Sequence, residues 1–125
     1  MTVPKDLLYT AEHEWVRVEG DEAVIGVTDF AQGELGDVVF IEIETTGETL
    51  AQGDTFGTIE AVKTVSDLYM PVDGEVSEVN QALEDTPELV NSDPYKGGWM
   101  IRVKMADPSQ VEDLLSPNQY SNLIG

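Results

Sequence analysis

The apolar residues of this chain fall in short runs broken by turn residues, and no run is long enough for a core helix. Trp15–Val18, Ala23–Val27, Val38–Ile43, Phe56–Val62, Val65–Met70, Glu75–Val79 and Trp99–Met105 each have strand length and β-type composition. Glu19-Gly20-Asp21 joins the first two as a hairpin. Within the runs the period is two, which predicts Ala23, Ile25 and Val27 on one face and Val39, Ile41 and Ile43 on another. Helical signals are few. Thr28-Asp29 before FAQGEL, with Gly36 behind it, predicts a short capped helix. Asp107-Pro108-Ser109-Gln110 and Ser116-Pro117-Asn118-Gln119 both resemble capping boxes with Pro at the first helical position, predicting helices over 107–115 and 116–123. Many short strands in 125 residues predict a β-sandwich or small barrel, as one domain over residues 1–125. GDEAVIGVT at 20–28 and DGEVSEVN at 73–80 share a turn-then-strand form, a faint sign of internal duplication.

Charge narrows the partners. Twenty-five acidic residues face six basic ones, a formal net charge of −19. Phosphate repels such a surface, so neither nucleic acid nor an anionic membrane is an expected partner. A basic patch on another protein would be steered toward it, although solubility or salt adaptation explains the same charge. There is no cysteine, so any sulfur chemistry must come from an attached group. The start, MTVPKDLLYTAEHEW, has neither the apolar core of a signal peptide nor an Arg-rich amphipathic pattern, and no window reaches membrane-span length. A single histidine, His13, argues against a histidine-ligated metal, and Glu42 and Glu44 have the spacing of a solvated strand face rather than an ion loop. Trp15 and Trp99 suit a core or a cleft wall.

Phe56–Val79, FGTIEAVKTVSDLYMPVDGEVSEV, is the most informative stretch. Its first two runs leave only Lys63 and Thr64 between them, which predicts an exposed hairpin tip. A lysine there is an accessible amine, suited to amide formation with a carboxylic acid. Lys-Thr is not a favoured two-residue hairpin loop, which leaves three readings open: local propensity is not the reason for these residues, the loop is longer, or the register is shifted.

The segment around Lys63 resembles the lipoyl-attachment region of glycine cleavage system H proteins. Glu60, Val62, Lys63, Ser66, Asp67, Pro71, Gly74, Glu75 and Val76 match that pattern, and Gly53 and Gly74 flank the lysine almost symmetrically. YTAEHEWVRVEGDEAVIGVTDFAQGELGDVVFIE at 9–42 and ELVNSDPYKGGWMIRV at 88–103 resemble the family's two other signature blocks, in order and at family spacing. Thr64-Val65 depart from it, since smaller residues often follow the lysine, and Glu12 occupies a variable position.

The resemblance implies an all-β fold with short helices, the lipoyl/biotinyl-type barrel-sandwich hybrid, with an attachment hairpin at about 56–79. It implies lipoate as a covalent cofactor on Lys63, attached by a lipoate ligase or lipoyltransferase. It implies a non-enzymatic shuttle, carrying an aminomethyl group from glycine decarboxylase to a folate-dependent aminomethyltransferase and electrons to dihydrolipoamide dehydrogenase. Glu60 and Asp67 are then expected in lipoylation-site recognition and arm contacts, with Glu12, His13 and Glu14 in the arm cleft. Glu14 and Asp67 are the expected partners of the charged amine. A monomer is expected, in a bacterial cytoplasm, or in the mitochondrial matrix if the chain is a trimmed eukaryotic form. Two alternatives keep the fold: a relay donating lipoate to 2-oxo acid dehydrogenases, and a non-carrier interaction protein. Free lipoyl domains usually have aspartate before the lysine and biotinyl domains methionine on both sides, where this chain has Val62 and Thr64.

Overall fold

A computed structural model describes residues 3–125. Nine strands form, in chain order β1 Leu8–Tyr9, β2 Glu14–Glu19, β3 Glu22–Val27, β4 Val38–Glu42, β5 Thr49–Leu50, β6 Thr55–Ala61, β7 Val65–Tyr69, β8 Gly74–Val79 and β9 Ile101–Met105. Six make one antiparallel sheet in the order β1-β2-β3-β9-β8-β5, and β4-β6-β7 make a second. The last strand, β9, thus lies inside the larger sheet, between β3 and β8.

The alternation in β3 decides which side of the larger sheet faces the smaller one. Ala23, Ile25 and Val27 share a face, as predicted, and pack against Val38, Ile41, Phe56, Ile59 and Leu68 from the second sheet. Val24 points the other way, into a second cluster with Tyr9, Trp15 and Tyr120. Both faces of this sheet region are therefore buried, one by the second sheet and the other by the C-terminal segment. Gly26 sits under Trp15, where a Cβ would lie 2.7 Å from the indole ring.

The first helix, α1 Asp29–Leu35, has the predicted caps: the Thr28 hydroxyl accepts from the Ala31 amide, and Gly36 ends it at φ 80°. Two one-turn helices, α2 Ala82–Asp85 and α3 Leu89–Ser92, carry no side-chain caps and supply Leu83 and Val90 to the core. The expected helix at 107–115 is a 3-10 helix over Pro108–Asp113 with Asp107 as its cap. The expected helix at 116–123 is α4 Pro117–Ile124, with the full Ser116–Gln119 capping box.

Three expectations need correction. In β4 the buried residues are Val38 and Ile41, while Val39 is exposed. The ladder slips between Val38 and Phe40, and that extra residue turns Val39 outward, while Ile41 and Ile43 keep the core facing that alternation predicts. The hairpin at 56–79 ends at Tyr69, because β8 pairs with β9 and β5 in the other sheet. The strand expected from Trp99 starts at Ile101. Before it, Asn80 donates to the Gly97 and Trp99 carbonyls at 2.9 and 2.8 Å and holds that segment as a loop.

Candidate functional site

Lys63 sits at the tip joining β6 to β7, exposed to solvent. The Ala61 amide donates to the Thr64 carbonyl at 2.8 Å, so the central residues are Val62 and Lys63, one position earlier than the sequence suggested. Among the described residues His13 is the only non-glycine with positive φ, so the tip is not one of the primed turns that would demand Asn or Gly. This explains how a Val-Lys pair serves there. What the turn lacks in local propensity it gains from a neighbour: the Val62 amide donates to the Asp37 carbonyl at 3.0 Å.

The segment supplying that carbonyl is itself held. Asn91, on α3, donates through Nδ2 to the Gly36 carbonyl at 2.8 Å and to Gln32 Oε1 at 3.0 Å, and accepts through Oδ1 from the Val38 amide at 2.9 Å. The Lys63 stem lies along this segment: a Cβ on Gly36 would be 3.2 Å from Lys63 Cε. Gly36 therefore serves twice, ending α1 at positive φ and leaving room for the lysine. The four ion pairs among the described residues all involve Arg17 or Arg102, and Lys63 enters none of them.

Glu60 and Asp67 lie on the outer face of the three-stranded sheet, both exposed. Glu60 stands between Phe40 and Val65, and Asp67 opposite Thr58. Val65, Asp67 and Tyr69 are spaced by two along β7 and share a face. Lys63 and Tyr69 lie toward opposite ends of this strand, about 20 Å apart at the rise of extended chain.

At the Tyr69 end lies a groove of about 300 Å³, lined by Thr10, Glu12 and Glu14 from the β1–β2 region, Gln52 and Gly53, Tyr69 to Pro71, and Asp113 to Leu115. Glu14 is its buried acid, only 3% exposed. Its carboxylate accepts from the Tyr69 amide at 2.8 Å and from the Thr10 hydroxyl at 3.2 Å. Burial pushes this carboxyl up to about 7, with the Glu12 charge adding to the rise and the two hydrogen bonds opposing it. A carboxyl poised there changes protonation when a cation arrives. Glu12 is exposed on the groove wall.

His13 is adjacent in sequence but turned elsewhere. Its φ is 68°, its ring lies 4.7 Å from that of Phe30, and Nδ1 is 2.9 Å from the Tyr120 hydroxyl. The same hydroxyl is 2.7 Å from Thr28 Oγ1. Burial lowers the His13 pKa, against the opposing charges of Glu12 and Glu34. The ring thus belongs to the packing of β1, α1 and α4, not to the groove lining. Trp15 is fully buried and donates to the Pro94 carbonyl at 2.9 Å, while Trp99 packs against the same cluster.

The structure therefore brings Glu12 and Glu14 together in one groove and Lys63 and Glu60 together at one tip, with Asp67 on the strand between. Sequence reasoning missed Thr10, Tyr69, Gln52, Asn91 and Gly36 as parts of the site. Only Gly36 carried a signal, as a helix stop; the others owe their positions to contacts distant in sequence. Among the described residues no group of three or more His, Asp or Glu side chains is arranged to hold a metal. The chemistry present is an exposed amine outside the ion pairs found among the described residues and, at the far end of β7, a buried acid in a groove.

A family described as glycine cleavage H-protein matches residues 7–125. A Bacteroides thetaiotaomicron protein named glycine cleavage system H protein is 58% identical over 124 residues, 99% of this chain and 98% of its own. A Staphylococcus carnosus protein of the same name is 54% identical over 125 residues, covering 100% and 99%. The crystal structure of a glycine cleavage system H protein from Mycobacterium marinum superposes with a TM-score of 0.89 at 38% identity over 98% of each chain. The two sheets described above are thus a barrel-sandwich of the lipoyl-domain type. The chain belongs to the glycine cleavage H-protein family and is a lipoyl-bearing carrier of that system rather than an enzyme.

Proposed function

We propose that Lys63 is the residue that bears the lipoyl group, attached by a lipoate ligase or lipoyltransferase. The carrier then serves glycine decarboxylase, the folate-dependent aminomethyltransferase and dihydrolipoamide dehydrogenase in turn. One observation carries this reading: β7 leads from an exposed lysine with no ion partner to a groove whose buried acid, Glu14, grips the far end of the same strand through the Tyr69 amide. The bound cofactor supplies the dithiol–disulfide couple that the cysteine-free chain lacks.

The chain's own contribution is shelter and charge. Met70, Pro71, Leu114 and Leu115 line the groove and limit water around whatever enters it. Glu14, whose raised pKa leaves it partly protonated near neutral pH, is driven to its ionised form when an ammonium is brought beside it and holds that ammonium as an ion pair. Asp67 offers a second carboxylate on the way in, and Glu12 a third on the wall. Glu60, beside the tip, is placed to be read by the acylating enzyme together with Asp67. His13 acts by holding the loop between β1 and β2 against α4. We infer a single monomeric domain working in a bacterial cytoplasm; the relatives compared above are bacterial, and no helix among the described residues is long and apolar enough to cross a membrane.

The test is the intact mass of protein from cells with a working lipoylation route, followed by tryptic mapping. The expected result is a lipoyl increment, no cleavage after Lys63, and no increment on K63R. An unmodified wild-type protein, in cells whose other lipoyl proteins are loaded, would refute the assignment.

A further inference from the structure

The large apolar side chains left exposed are not scattered. Among the described residues there are six, and four of them, Val39, Phe40, Val62 and Val65, gather around the Lys63 tip. Val62 is 75% exposed and Val65 63%. The bulge at Val39 produces part of this patch, since it turns out a residue that strict alternation would have buried. Phe40, Glu60 and Val65 form one cross-strand row just behind the tip. Nothing in the core explains them, and exposed apolar side chains gathered in one patch mark an interaction surface.

The charges around the patch are one-sided. Glu60 and Asp67 flank it, and Lys63 is the only basic residue between Arg17 and Lys96. The other cations of the β framework, Arg17, Arg102 and Lys104, belong to the larger sheet.

We propose that this patch is the docking surface for the enzyme that acylates Lys63, which meets it with an apolar pocket rimmed by basic side chains. The inference rests on Lys63 being the attachment residue. Reach selects the occupant. An unmodified lysine extends only about 6 Å from its Cα, so the acylating enzyme must close on the tip itself. Enzymes that later use the attached group meet a longer arm and can stand further off. The covalent step is ordinary acyl transfer: the Nζ lone pair attacks the carbonyl carbon of a lipoyl adenylate, AMP leaves with the C–O bond electrons, and Nζ loses a proton.

The experiment measures steady-state lipoylation of the full chain by a lipoate ligase that modifies the wild-type protein, with lipoate and ATP. The variants are F40S and V65S, with V18S, an exposed apolar change on the larger sheet, as control, and thermal melts to confirm folding. F40S and V65S are expected to raise the KM for the carrier about tenfold, with kcat within about twofold and V18S unchanged. The wild-type KM is expected to rise with salt, and less steeply in E60Q. A KM for both patch variants within twofold of wild type overturns the docking surface alone. So does normal acylation coupled to a loss of activity with glycine decarboxylase, which would assign the patch to that enzyme. Failure of the wild-type protein to be acylated at Lys63 overturns the attachment reading and this inference with it.

Discussion

Glu14 holds a buried carboxyl whose folded pKa, about 7, lies above its ordinary value of 4.5. Between those values the folded chain retains a proton that the unfolded chain has released. Stability therefore falls as pH rises through that window, and the cost is complete above it. Gln keeps the acceptor for the Tyr69 amide and removes the titration. E14Q is expected to match wild type near pH 4.5 and to exceed it at pH 8 by about 2–3 kcal/mol. Urea melts at both pH values check this, and a pH-independent difference would contradict the burial argument. A second residue tests packing. Gly26 lies 2.7 Å, at its missing Cβ, from an indole that the Pro94 carbonyl holds in place. G26A is expected to cost about 2–3 kcal/mol, read from the same melts. A change below 0.5 kcal/mol would show that the Trp15 ring can yield.

The β6–β7 hairpin depends on an element far along the chain, since Asn91 on α3 fixes the segment whose Asp37 carbonyl holds Val62. N91A removes three hydrogen bonds and leaves the Val38 amide without its partner. The expected cost is about 1–3 kcal/mol, with faster hydrogen exchange at the Val62 amide than at amides within β9. Unchanged exchange at Val62 would disconnect α3 from the tip. The same dependence shows why some elements were legible in sequence and others were not. The β2–β3 hairpin, α1 and α4 are specified locally, by Gly20, by Thr28 with Gly36, and by the Ser116–Gln119 box. β1 and β5 are two residues each and exist only because β2 and β8 pair with them. The bulge at Val39 and the tip register come from ladders that no local rule fixes. At the site, Lys63 stood out through family resemblance, while the depth of Glu14 arises from a partner 55 residues away. No reading of the EHEW segment alone contains that contact.

On the scale of the molecule, 25 acidic and six basic residues make the compact state repel itself. The basic residues that relieve it are concentrated: Arg102 alone pairs with Glu19, Glu22 and Glu78. Exposed pairs of this kind add little. Raising sodium chloride from about 0.01 to 0.5 M, which shortens the screening length from about 30 Å to under 8 Å, is therefore expected to raise the melting temperature by several degrees. A melting temperature that falls with salt would mean that the Arg102 pairs outweigh the repulsion. The topology adds a consequence in time. Among the described strands, the one at the middle of the larger sheet, β9, comes last in the chain. While a ribosome is still short of residues 101–105, β3 and β8 have no common neighbour, and each presents a raw edge. Lys63 leaves the ribosome before those residues do, on a hairpin whose small sheet then faces an incomplete larger one. A nascent chain of this kind offers its lysine before residues 113–115 can complete the groove, so the order of translation puts exposure ahead of shelter.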